Sequence, residues 1–355
     1  MPIYIILITL LSAIVVAYLL VPVSIKIAHR VGAIDEPDKR KVHSQAMPRF
    51  GGLAIFISFM LCMIFLVKVS GPFTGIVWGA GIVFLVGMLD DIFQLSPWVK
   101  LAGQIVAASV AIYFGVMVSF VTNPFNGMLG LGYFSIPLTL LWIVGVTNAI
   151  NLIDGLDGLA AGVSSIAAAT MGIVALLQGQ SMVAMVAFLL VASILGFLPY
   201  NFHPARTFMG DGGSNFLGFI LGCLAVTGLA KSAALISLLM PIVILGIPIF
   251  DTFFAIIRRI NNKAPIFRPD KAHLHHRLMA MGCSHRGSVL IIYGISCVFG
   301  TVAVFLTMLN SPKATLILAL LLLLVVLGAD KIGMFTGEKA KIPARQVKHG
   351  STLNG

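Results

Sequence analysis

The sequence predicts an all-α polytopic membrane protein with about eleven transmembrane helices. Three observations carry that expectation. Hydrophobic residues make up 59% of the 355-residue chain and charged residues only 10%, against roughly 25% charged in soluble domains. Mean hydropathy is +1.05. The apolar residues also fall in long charge-free runs, whereas the strands of a membrane β-barrel would alternate over about ten residues each. A soluble globular domain, a disordered chain and a collagen-like chain are excluded on the same grounds.

At about 20 residues per crossing, the runs yield the spans in order. Met1 to Ile25 is the first. It lacks a positive start and a small-residue cleavage site, so it reads as an uncleaved span. Phe50 to Val67 and Val69 to Leu89 follow. Leu101 to Ile153 holds two helices, divided at Thr122-Asn123-Pro124 and Asn126-Gly127. Gly158 to His203 holds two more, divided at Gln178-Gly179-Gln180-Ser181. Gly212 to Ala230, Ser232 to Phe250 running on to Ile257, Gly287 to Asn310 and Ala314 to Ala329 complete the set.

With the N-terminus outside, twenty of the 23 Lys and Arg residues fall in cytoplasmic segments. That asymmetry places the C-terminus in the cytoplasm. Residues 1–330 form one integral-membrane unit. The basic tail, 331–355, is expected to be disordered and cytoplasmic; contact with anionic lipid and simple solvation explain it equally well. Net charge is +11. In a membrane chain this signals topology and a polyanionic substrate before it signals nucleic acid. Cys62, Cys223, Cys283 and Cys297 show no pairing pattern and read as small core residues.

Only 12 residues are acidic, so their positions are informative. Asp90 and Asp91 close the third span, Asp154 and Asp157 follow the fifth, and Asp211 precedes the eighth. The predicted topology brings all five to the cytoplasmic side, at one depth. Helix capping is the plain alternative, above all for Asp157 and Asp211. Capping needs one acid, however, and two of these motifs carry two. Adjacent carboxylates repel unless a proton or a cation intervenes, and a hard cation held by oxygen and finished by substrate phosphate is characteristic of Mg²⁺. The surrounding Gly155, Gly158, Gly210, Gly212 and Gly213 let backbone approach a bulky anion.

A basic segment complements the acids. It runs from Arg258-Arg259 through Lys263, Arg268 and Lys271 to His273-Leu274-His275-His276-Arg277. A zinc site is one reading of the histidines and a topogenic loop another; phosphate binding by Arg and His accounts for both halves. The first loop, Asp35 through Pro48-Arg49-Phe50-Gly51-Gly52, adds a further basic stretch. Acids for a metal, bases for phosphates and an apolar bundle point to phosphoryl transfer between a soluble polyphosphate and a phosphorylated lipid. A transporter with a proton-relay array would instead place its acids at mid-helix depth, within inverted repeats.

Four ordered motifs carry a resemblance: Asp90-Asp91-x-x-Gln94, Asn148-x-x-Asn151-x-x-Asp154-Gly-x-Asp157-Gly, Phe208-Met209-Gly210-Asp211-x-Gly213-Ser214 and His273-x-His275-His276. Over about residues 26–286 the chain resembles the polyprenyl-phosphate N-acetylhexosamine-1-phosphate transferases. The interrupted histidine motif is closer to the TagO/WecA-type branch than to the MraY-type branch, which transfers phospho-MurNAc-pentapeptide. The resemblance implies a bacterial cytoplasmic-membrane enzyme that moves N-acetylglucosamine-1-phosphate from UDP-GlcNAc to undecaprenyl phosphate, with Mg²⁺ or Mn²⁺ as cofactor. It implies no nucleic-acid partner and leaves a homodimer open.

Residue by residue, the resemblance makes Asp211 a metal ligand and Asn151 a metal contact. Asp90, with Asp91 beside it, becomes the carboxylate that handles the lipid phosphate, and Lys100 a phosphate contact. Asn201 and Phe208 fall near the uracil. His273, His275 and His276 fall on the nucleotide-sugar side, and Asp154 and Asp157 are shared site acids. Gly212 departs from the Thr or Val usual at its position, which loosens the turn beside Asp211.

Overall fold

The computed structural model describes residues 2–36, 46–65, 67, 69–122, 128–229, 236–263, 273–309 and 311–334. Lys39 to His43, Lys68, the Asn123–Gly127 break, Lys231, Arg268 to Lys271 and most of the basic tail lie outside these residues.

Among the described residues, thirteen α-helices form a bundle. In chain order they are α1 (Ile3–Val31), α2 (Gly52–Phe65), α3 (Pro72–Phe93), α4 (Pro97–Tyr113), α5 (Ser135–Ile153), α6 (Leu159–Leu177), α7 (Ser181–Asn201), α8 (Gly210–Leu224), α9 (Ile236–Ile244), α10 (Gly246–Asn261), α11 (Leu274–Ala280), α12 (His285–Met308) and α13 (Ser311–Lys331). Among the described residues, six helical stretches are long and apolar enough to cross a membrane. The protein is therefore an α-helical, multi-pass membrane protein. Two small antiparallel hairpins, absent from the sequence expectation, pair β1 (Ile34–Asp35) with β2 (Met47–Pro48) and β3 (Phe120–Thr122) with β4 (Met128–Gly130).

Packing follows the logic of helices in lipid, where small residues permit close backbone approach. Along α1, Thr9, Ala13, Ala17, Val21, Ser24 and Ala28 form a buried stripe at helical spacing, while Ile3, Leu7, Leu11 and Leu19 face outward. Central to the bundle is α8, whose residues from Gly212 to Leu224 are all buried. A wider helical turn over Ala225–Leu229 prolongs it, giving a short helix a membrane-scale length.

Two expectations need correction. The ninth expected span, Ser232 to Ile257, is not one helix, because α9 stops at Ile244 and α10 restarts at Gly246. Pro241 inside α9 and Pro248 near the start of α10 each remove a backbone donor, which favours a break here. The cysteines are all free, and Cys62 and Cys223 are buried as expected, but Cys297 is exposed. It lies on the outward face of α12, where a small apolar side chain can meet lipid.

One contact does most to place the site. At Gly87 on α3, an added Cβ would sit 2.5 Å from the Asp211 carbonyl oxygen and 2.7 Å from the Gly212 Cα. Only glycine lets the last turn of α3 lie directly against the first turn of α8. The carboxylates that end α3 and begin α8 are adjacent for this reason.

Candidate active site

Asp90 and Asp91 share the last turn of α3, about 100° apart around its axis, so they face different neighbours. Asp90 faces α4, where Lys100 Nζ donates to its Oδ2 at 2.9 Å. The same Nζ donates to Asp211 Oδ2 at 2.7 Å. Lys100 thus bridges acids from two helices.

Asp91 faces the start of α8. It accepts the backbone N–H of Asp211 at 2.9 Å and that of Gly212 at 3.0 Å. No side chain of α8 caps that helix itself, so the carboxylate satisfies first-turn amides that would otherwise be orphaned. Capping is therefore realised at Asp91, from a different helix, and not by Asp157 or Asp211. Gly210 makes the turn possible. Its φ is +75°, and an added Cβ would meet the Arg49 carbonyl oxygen and lie 2.6 Å from Asp91 Oδ2.

Arg49 enters from the first loop. Its guanidinium lies 3.5 Å from Asp91, 3.8 Å from Asp211 and 3.4 Å from Asp35. Burial works against its charge, but Asp91, Asp211 and Asp35 outweigh it and raise its pKa. The loop is zipped to the approach to α8: Phe208 N–H donates to Pro48 O at 2.8 Å, Gly51 N–H to Phe208 O at 2.9 Å, and Gly52 N–H to Met209 O at 2.9 Å.

On the far side of Asp211, Asn151 Nδ2 donates to Ser214 Oγ at 2.8 Å, which leaves the Asn151 amide oxygen without a hydrogen bond among the described residues. The carboxylate of Asp154, at the end of α5, also has no hydrogen-bonding or ion-pairing partner among the described residues. Its pKa is pushed up to about 7, first by burial and then by the charge of Asp211. Asp211, Asp154 and the Asn151 oxygen make a set of hard oxygen donors with excess negative charge, the chemistry that suits Mg²⁺. Behind them, Gln104 joins Asn148 and Asn215 through its amide, at 2.7 Å to Asn148 Nδ2 and 3.0 Å to Asn215 Oδ1. Asn215 Nδ2 donates to the Asp211 carbonyl at 2.7 Å.

Asp157 belongs to a neighbouring knot. Its Oδ2 accepts from His203 Nδ1 at 2.8 Å and from Ala205 N–H at 3.1 Å, while its own N–H donates to His285 Nε2 at 3.0 Å. The His203 and His285 rings stack at 4.3 Å. Asn201 is buried, accepts from Gly158 N–H at 3.1 Å and donates to Thr207 O at 3.0 Å. It holds the loop, and its amide is occupied on both sides. Phe208 is half-buried.

The histidine segment closes the site. His273 Nδ1 pairs with Asp251 Oδ2 at 2.7 Å. His275 is buried, and its Nε2 has no hydrogen-bond partner. That nitrogen lies over Gly155, where an added Cβ would be 2.7 Å from it. His275 and His276 rings are 4.2 Å apart. Burial first, then the neighbouring His276, holds His275 down to a pKa of about 3, so it is neutral at physiological pH. Among the described residues the three histidines do not gather as metal ligands; the group that does is Asp157, His203 and His285, and their polar atoms already satisfy one another.

Residues 73–229 match the model of "Glycosyl transferase family 4". A Bacillus subtilis protein named "Probable undecaprenyl-phosphate N-acetylglucosaminyl 1-phosphate transferase" is 47% identical over 91% of this chain and 90% of its own length. The chain belongs to glycosyl transferase family 4. Two further relatives agree. A decaprenyl-phosphate N-acetylglucosaminephosphotransferase of Mycolicibacterium smegmatis is 37% identical over 75% of this chain and 73% of its own. An undecaprenyl-phosphate alpha-N-acetylglucosaminyl 1-phosphate transferase of Thermotoga maritima is 32% identical over 74% and 78%.

In this family 4 member the fold brings together Asp90, Asp91, Lys100 and Asp211, and sets Asn151 and Asp154 beside them. Asp157 and Asn201 occupy the adjoining knot, and His273 and His275 the opposite wall. Sequence reasoning missed Asp251, His203, His285 and Gln104. Asp251 had a usable signal, since an acid inside an apolar run is costly unless it has a task.

Proposed function

We propose that the protein transfers N-acetylglucosamine-1-phosphate from UDP-GlcNAc to undecaprenyl phosphate. The products are undecaprenyl-diphosphate-GlcNAc and UMP. This is the first membrane step of a cell-envelope polysaccharide, carried out at the cytoplasmic face of the bacterial cell membrane. One observation carries the reading: Lys100 bridges Asp90 and Asp211 at a bundle end where burial and the charge of Asp211 raise the pKa of Asp154. The names of the relatives supply the sugar and the lipid class.

The reaction is a single in-line displacement. An oxygen of the lipid phosphate forms a bond to the β-phosphorus of UDP-GlcNAc. The bond from that phosphorus to the bridging oxygen breaks, and the bridging oxygen leaves with UMP. Phosphoryl transfer of this kind is promoted mainly by positioning and charge neutralisation. A lipid phosphate is anionic near pH 7 and needs little help to lose a proton. Asp90, tied to Lys100, therefore orients the ammonium toward phosphate more than it acts as a base. Arg49 offers a planar donor set to phosphate oxygens. Asp211, Asp154 and Asn151 would hold Mg²⁺, which supplies charge neutralisation on the diphosphate. Phe208 offers a ring to the uracil, and His275 and His276 offer nitrogens to the sugar-nucleotide side.

Eleven crossings, with the site inside, are supported by the Lys and Arg distribution. A reporter after Lys348 is expected to be cytoplasmic and one near Asn126 external. The reaction is tested with purified protein in Mg²⁺, given undecaprenyl phosphate and a panel of UDP sugars. UMP release with UDP-GlcNAc, abolished by chelator and by Asp211→Asn, is expected. Release with UDP-MurNAc-pentapeptide in its place, or none with any sugar nucleotide, would overturn the reading.

A further inference from the structure

The histidine wall depends on a residue that none of the motifs contains. Asp251 lies on α10, is 3% exposed, and has both carboxylate oxygens engaged. Oδ2 takes His273 Nδ1 at 2.7 Å, and Oδ1 takes the Leu274 N–H at 2.8 Å. The two bonds do different things. Leu274 is the first residue of α11, so Oδ1 caps that helix from outside, as no side chain of its own does. His273 precedes it, in extended backbone, with its ring buried beside Asp251.

A carboxylate has no proton to give, so the shared hydrogen must sit on Nδ1. The neutral His273 ring is then held in the tautomer whose Nε2 is free of hydrogen, and a protonated ring would present Nε2–H along the same fixed direction. His275, two residues on, rests over Gly155 with its Nε2 unpartnered. The placement of that ring also follows from where α11 begins.

We infer that Asp251 is a positioning residue for the reaction, fixing the ring orientation and tautomer of His273 and seating α11 over the Gly155 turn. The inference rests on the proposed reaction, in which this wall meets the sugar nucleotide.

Asp251→Asn separates the two bonds. An amide oxygen can still accept the Leu274 N–H, so the cap survives. The amide nitrogen can only donate, so it cannot take the Nδ1 hydrogen. Four measurements are made on the full-length protein in detergent. They are melting temperature, kcat and KM for each substrate, and the imidazole nitrogen shifts of ¹⁵N-histidine-labelled protein. Asp251→Asn is expected to melt within a few degrees of the wild type and to move the His273 ring-nitrogen signals. Its kcat/KM for UDP-GlcNAc should fall at least thirty-fold, with KM for undecaprenyl phosphate changed less than threefold. Asp251→Glu should recover part of the loss. His273→Gln added to Asp251→Asn should cost little more than either alone, as expected of residues acting as a unit.

Wild-type kinetics in Asp251→Asn would overturn the inference and leave Asp251 a cap only. Full additivity with His273→Gln would also overturn it. A wild-type protein inactive with UDP-GlcNAc, but with His273 signals that move in Asp251→Asn, would instead overturn the proposed reaction while supporting the pairing.

Discussion

Asp91 and Asp251 perform the same structural act in two regions of very different charge. Each sits on one helix and caps the start of another, Asp91 for α8 and Asp251 for α11. Each places the residue at that start: Asp211 in one case, His273 in the other. The surroundings differ. Around Asp91 lie Arg49, Lys100, Asp90 and Asp211; with Asp91 itself that is three carboxylates against two cations, an excess that an added cation would balance. Around Asp251 lie histidine rings, and His275 among them is held neutral by burial. One capping device thus serves a charged wall suited to metal and phosphate and a neutral wall suited to hydrogen bonding.

Removing the charged cap should have the largest effect. Asp91→Ala leaves two α8 amides unsatisfied, at about 1–3 kcal/mol each, and removes one of the three carboxylates beside Arg49. A lower melting temperature and no detectable UMP release are expected; a stable, active variant would mean that α8 holds its start without α3.

On the neutral wall, His275→Ala and His276→Ala should each cost about 1.5–3 kcal/mol if they bond to charged substrate groups. The expected reading is a ten- to hundred-fold fall in kcat/KM for UDP-GlcNAc, with expression and topology intact. Unchanged kinetics in both would return the segment to a topogenic loop.

Gly87→Ala tests whether α3 and α8 must touch. The new methyl meets the Asp211 backbone, and overpacking of this kind costs about 1–3 kcal/mol. Partial loss of stability with a larger loss of turnover is expected; Gly81→Ala, on the same helix with no neighbour within 4 Å, should be silent.

Acid should distinguish the walls most gently. His275 has a folded pKa of about 3 against about 6.5 when unfolded. Its depressed value means that stability is full above pH 6.5. Stability then falls as pH drops toward 3, by at most about 1.4 kcal/mol per unit. His275→Gln should flatten that slope in melting curves taken between pH 6.5 and 4. An unchanged slope would show that the ring is accessible to protons in the fold.

The charged wall was legible in the sequence because charge is scarce in this chain. Asp90, Asp91, Asp154, Asp157 and Asp211 stand at the ends of long apolar runs, and helix alternation brings such ends together. Which carboxylate caps and which one bridges was not legible, since that depends on how α3 turns against α4 and α8. Asp251 escaped notice because the run around it is otherwise apolar and reads as one span. The break between α9 and α10 instead places it inside a separate helix that begins at Gly246. His203 and His285 were invisible for another reason: they stack on each other and meet Asp157 from distant parts of the chain, and sequence distance conceals three-way contacts.

The capping of α8 by Asp91 also has a consequence in time. The amides that Asp91 accepts lie 120 and 121 residues further along the chain. During synthesis, α3 must therefore enter the bilayer with this carboxylate before its helix partner exists. Arg49 precedes α3 in the chain and lies 3.5 Å from Asp91 in the finished fold, so among the partners of that carboxylate it is the one synthesised first.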